Sequence, residues 1–186
     1  MTEPLSAAAA ADLSAAGWAP RRQVPEPTAE AIELVCEHVG RHGERHEPFP
    51  AAVDALTEFG GLAVSTERAG VAVAPQPFVL DPTLAAATTE TLADLGRVLD
   101  VRLFPLGLHG EQEAVLAIDE RGRVFVLDDT GDWLVGDTIH AALDALLTGR
   151  APVRVRDDGT LDDNTRHDNI RDDNTRHDNT VDDGGR

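Results

Sequence analysis

Cysteine occurs once in this 186-residue chain, at Cys36, so no intrachain disulfide can form and nothing in the cysteine count ties the fold to an oxidising compartment. No stretch approaches the roughly 20 consecutive apolar residues of a membrane helix, and the Ala-rich start lacks the basic region of a secretory leader. The expectation is a cytoplasmic protein with no membrane partner. Tyrosine is absent and aromatics make up only 4% of the chain, so the core must be built mostly from Leu, Val, Ile and Ala. Lysine is absent too: all sixteen basic residues are arginine, against 34 Asp plus Glu, for a net charge of −18. Such a field repels nucleic acid and anionic membranes, attracts basic partners, and equally serves plain solubility. The chain also lacks a P-loop, a GxGxxG after a strand, GxSxG and HExxH, which argues against an enzyme.

What is present is enough for one core and too little for two ordinary domains. Residues 1–156 read as the folded domain. Residues 157–186 carry ten Asp, four Arg and three isolated aliphatics, a composition that cannot bury a core and is expected to be disordered. DDNTRHDN occurs twice there, at Asp162–Asn169 and Asp172–Asn179, a ten-residue period shorter than any solenoid unit. Without these thirty residues the chain still carries a net charge of −12, so the acidity belongs to the body as well.

Within the body, Ser6 to Ala16 predicts a helix stopped by Gly17. Thr28 predicts the N-cap of a second, with Ile32, Val35, Cys36 and Val39 inward and Gly40 or Gly43 at its end. Pro50 to Phe59 predicts a third, with Val53, Leu56 and Phe59 inward. Leu62–Thr66 and Val71–Ala74 read as a hairpin, with Phe78–Leu80 as a brief strand. Asp81-Pro82 opens a segment helical from Thr89, with Leu92, Leu95, Val98 and Leu99 on one side. Val101–Leu108 reads as a strand whose Pro105 calls for an edge or a bulge. Ala114–Ile118 and Val124–Leu127 form a hairpin around Asp119–Gly122. Trp133–Val135 is a candidate strand, and Asp137 or Thr138 caps a helix ending at Gly149. The pattern predicts an α+β domain with a mainly antiparallel sheet of five to six short strands.

For chemistry, Cys36, His38, His42 and His46 are the best metal candidates, since His38 and His42 fall one turn apart if the helix continues. Cys36 belongs to the apolar stripe, roughly 160° away, so the four read as a solvated polar face and no metal or cofactor is expected. In the tail, Asp162, Asp163, Asn164 and Asp168 imitate calcium ligands, but His167 stands where an EF-hand needs glycine and no Glu occupies the twelfth position. Trp18 reads as a core residue more than a binding hot spot. Trp133, after Asp128, Asp129 and Asp132, suits a protein interface and a strand equally.

Five motifs in order then carry a family resemblance: Gly17-Trp18-x-Pro20-Arg21, Phe59-Gly60-Gly61-Leu62, Phe78-x-Leu80-Asp81-Pro82, Phe104-Pro105-Leu106-Gly107 and Asp119-x-x-Gly122-Arg123-Val124. From Gly17 to Gly149 the chain resembles the third subfamily of SUKH bacterial toxin-immunity proteins; the tail falls outside. It departs at Pro20-Arg21-Arg22, where the glycine expected after Trp18 is missing, and by carrying Trp133 in place of a smaller residue. The resemblance implies a SUKH-like α+β fold and an antitoxin role in a polymorphic-toxin or contact-dependent inhibition system. It carries over no catalytic residues. Gly17, Trp18, Gly60, Gly61, Leu62, Phe78, Asp81, Pro82, Pro105, Gly107 and Gly122 are then structural. The implied partner is a cognate protein toxin, a nuclease or nucleic-acid deaminase with a basic groove. Charge clustering nominates Glu111, Glu113, Asp128, Asp129, Asp132 and Trp133 to meet it. A regulatory or scaffold domain without a toxin is the alternative, and a metal enzyme using His38 and His42 ranks last.

Overall fold

The computed structural model describes residues 4–162. Three helices come first: α1 (Ala7–Ala15), α2 (Pro25–Glu37) and α3 (Pro50–Phe59). Ser6 caps α1 by accepting from Ala9 N, and Gly17, at φ +99°, turns the chain away from its end. The start of α2 differs from expectation. Pro25 occupies its first turn, where the missing N–H would have been unsatisfied anyway. Thr28 sits inside the helix, and its buried hydroxyl bonds to Val24 O and to Leu56 O of α3. Val39 lies beyond the end of α2 and is exposed. In α3 the inward stripe is Ala52, Ala55, Leu56 and Phe59, and Val53 faces solvent.

Seven strands follow among the described residues, paired in chain order as one antiparallel meander: β1 (Ala63–Val64), β2 (Phe78–Val79), β3 (Leu103–His109), β4 (Ala114–Asp119), β5 (Val124–Asp128), β6 (Gly131–Gly136) and β7 (Val153–Arg154). The expected hairpin between Leu62–Thr66 and Val71–Ala74 does not form. β1 pairs with β2, while Val71, Ala72 and Val73 donate their backbone N–H groups to the carbonyls of Thr148 and Gly149. Val71 is 81% exposed, so no apolar gain draws it into the sheet.

A 3₁₀ segment (Pro82–Thr88) leads into α4 (Thr89–Leu99). Asp81 opens it, accepting from Thr83 N at 3.0 Å and from its hydroxyl at 2.6 Å. Leu92, Leu95 and Gly96 face inward and Val98 outward. β3 lies between β2 and β4, and Pro105 is accommodated by a bulge between Pro105 and Gly107. Gly107 is irreplaceable at this bulge: its φ is +151°, and a Cβ would come within 1.9 Å of Val79 O. The last helix, α5 (Ile139–Thr148), is capped by Thr138 and closed by Gly149 in the left-handed region.

Alternation along the strands splits the core between the two sheet faces. Phe104, Leu106, Leu116, Ile118, Val124 and Val126 pack against α1, α2, α3 and α5. Leu103, Ala117, Phe125, Leu127 and Leu134 pack against Leu92 and Leu95 of α4, together with Val155. Residues 157–162, assigned to the tail on composition, turn back along β7: Val155 bridges Leu161, and Asp162 N bonds to Arg154 O at 2.8 Å. The repeats beyond, residues 163–186, lie outside the described residues.

Candidate partner-binding surface

Because the sheet is a meander, the β3–β4 and β5–β6 turns emerge at the same end. Val115 pairs with Leu127, and the residues just beyond that pair converge. Glu113, Asp128, Asp129 and Asp132, with Thr91 of α4, line a shallow cavity of about 280 Å³ that also takes in Val115 and Leu127. Glu111 is exposed on the same turn but does not line the cavity, and neither does Trp133. Glu113 adopts the left-handed region at φ 55°, an uncommon conformation for a residue with a side chain.

The carboxylates here have unlike environments. Burial pushes the Asp128 carboxyl up, but hydrogen bonds from Thr130, from the Trp133 side chain and from Gly131 N outweigh it and hold the group below its usual value. Asp132 goes the other way: burial and the neighbouring Asp128 charge raise it, and Arg154 offsets only part of that. His109 is lowered by burial, with the Asp128 charge opposing. None of the four cavity carboxylates forms an ion pair with an arginine or histidine among the described residues.

Trp133 is a strand residue of β6, opposite Arg154 of β7, whose guanidinium lies 5.5 Å from the indole centroid. The sequence held no sign of this contact, because 21 positions separate the two residues and no local spacing reports on a sheet edge.

The histidines do not make the site their spacing suggested. α2 ends at Glu37 and His38 is its C-cap with extended backbone, so His42 is not one helical turn further on. His46 is 4% exposed, its Nε2 lies 3.1 Å from Ala86 O, and its ring meets Phe104 edge to face. Burial raises the Cys36 thiol. Among the described residues no group of three or more His, Cys, Asp or Glu is placed to hold a metal. Of the calcium-like tail residues only Asp162 is described, and it pairs with Arg156 at 2.7 Å.

The motif residues gather elsewhere. Gly60, Gly61, Leu80, Asp81 and Pro82 line a second cavity of about 240 Å³ with Arg22. Arg22 bonds to Glu58 O and Gly60 O, while Trp18 stacks on Phe59 at 6.1 Å and donates its indole N–H to Glu58. These contacts fasten the loop after α1 to the C-terminal end of α3. A cavity of about 580 Å³ lies beside α4, and its Arg102 is already paired with Glu120 and Glu47. No helix among the described residues is long and apolar enough to cross a membrane.

Comparison with curated proteins finds no match, and neither does comparison with solved structures. A family model, however, matches residues 5–149, from just before α1 to the glycine that closes α5. That span takes in the whole helical layer, six of the seven strands and both acidic turns, and on it the chain belongs to the SUKH-3 immunity protein family.

Proposed function

We propose that this protein is an immunity protein that binds a cognate bacterial toxin domain and neutralises it by covering its active groove. The observation that carries the reading is the family match over residues 5–149. The acidic end of the sheet supports it. Four carboxylates that form no ion pair among the described residues line one cavity, as a surface meant for a basic partner would. A nuclease or nucleic-acid deaminase has a groove of that sign, built for phosphate, and carboxylates set on a sheet end present comparable charge. Binding without turnover needs no catalytic group, and the protein acts stoichiometrically in the cytoplasm of the cell that makes the toxin.

The test is co-purification with the toxin domain encoded beside it, at low and at high salt, together with a toxin activity assay. A stable complex that silences the toxin and whose association rate falls steeply with salt is the expected result. No complex with any neighbouring toxin would overturn the proposal.

A further inference from the structure

The contact between Arg154 and Trp133 is built with more care than a chance surface stack. The guanidinium lies over the indole, and its edge fills the place where residue 131 has no side chain: a Cβ on Gly131 would stand 3.3 Å from the nearer Arg154 nitrogen. The Trp133 side chain also interacts with Asp128 and helps to hold that carboxyl below its usual value. Asp132 lies close enough to feel the Arg154 charge. A planar cation thus rests against an aromatic face and a glycine, with the Asp132 charge nearby, a setting that matches the shape and charge of a guanidinium.

Arg154 is held there lightly. Among the described residues it forms no ion pair, and its side chain is exposed. A cation on an aromatic ring is weak in water and several-fold stronger once water is excluded, and an exposed arginine changes rotamer within nanoseconds. An arginine arriving on a protein partner would bury the same contact and gain more from it than Arg154 does.

We propose that Gly131, Asp132 and Trp133 form a guanidinium seat that Arg154 fills in the free protein and that an arginine of the bound toxin takes over. The identity of the incoming group rests on the immunity reading above; the seat does not. Arg154 is a placeholder: it covers the indole while the protein is alone and swings into solvent when the partner docks.

Titration with L-argininamide, followed by NMR, tests the seat without any toxin. Arg154→Ala is expected to bind the probe about threefold or more tightly than the unaltered protein, the ratio set by vacating one exposed cation–π contact. The Trp133 indole signal should move and that of Trp18 should stay. In the Arg154→Ala, Trp133→Leu double variant the tighter binding should vanish, read at the Gly131 backbone amide. Equal affinity with and without Arg154, or undiminished binding in the double variant, would overturn the proposal. Arg154→Gln repeats the measurement if Arg154→Ala melts early. Loss of argininamide binding with toxin capture intact would remove the seat alone. Argininamide binding with no toxin captured would remove the immunity reading alone.

Discussion

The two ends of strand β4 handle carboxylates in opposite ways. At its C-terminal end Asp119 is 0% exposed and fully used: it accepts from Arg121 N, Arg123 N and Arg123 Nε, the last at 2.7 Å. Glu120 beside it pairs with Arg102 at 2.8 Å. At the N-terminal end Glu113, Asp128, Asp129 and Asp132 share a cavity and none of them forms an ion pair among the described residues. One set of acids is paired with arginines and the other is not. In an acidic protein, net charge alone does not separate these roles; the partners of each carboxylate do.

The comparison is most open to attack at Asp119. Asp119→Ala should cost about 3–5 kcal/mol in urea unfolding, because it leaves Arg123 half-buried without its anion and frees two backbone N–H groups of the turn. A loss below about 1 kcal/mol would mean that the buried end is no more structural than the exposed one. Neutralising the other end, with Glu113→Gln, Asp129→Asn and Asp132→Asn together, should slow toxin association by about tenfold or more at low salt while leaving the melting temperature nearly unchanged. Stopped-flow rates across a salt series would decide it, and an unaffected rate would place the interface elsewhere.

Asp128 and Asp132 sharpen the contrast within the acidic end itself. Asp128 ionises more easily in the fold than in the unfolded chain, so its contribution is present at neutral pH and is lost as pH falls through its lowered value. Asp132 is raised, so its contribution is present below the ordinary Asp range and is lost as pH rises through its folded value. At pH 7, Asp128→Ala should therefore destabilise by about 0.5–1.5 kcal/mol through the lost turn bonds. Asp132→Asn should stabilise by a few tenths of a kcal/mol. Shifts of the same sign for the two variants in thermal melts at pH 7 would refute the assignment. The smallest effect belongs to Glu120→Gln, an exposed pair member whose loss should leave the melting temperature unmoved.

Much of this was legible in the sequence because local chemistry wrote it there. Gly17 and Gly149 mark helix ends, Asp119 to Gly122 marks the central hairpin, and Pro105 marks the bulge that the structure places between Pro105 and Gly107. Reading failed where a distant element claimed the same atoms. Val71 to Ala74 has strand composition, but its N–H groups cap the end of α5 some 75 residues later. Thr28 looks like a cap, yet Pro25 had already started the helix. His38 and His42 would share a face only on a helix that runs to residue 42, and α2 ends five residues short of that, at Glu37. The acidic cavity was half visible: charge clustering found Glu113, Asp128, Asp129 and Asp132, while the inclusion of Thr91 and the exclusion of Glu111 depend on how the turns meet α4.

The meander has a consequence for synthesis. Each strand pairs with its immediate predecessor, so the sheet can zip up in the order in which the ribosome delivers it, with few long loops to close first. Contacts outside the sheet reach further along the chain. Ser6 N bonds to Asp144 at 2.8 Å, joining the entry to α1 with α5. The earliest helix must wait for the latest one, which makes the finished protein depend on translation running almost to the end of its matched region before the first residues can settle.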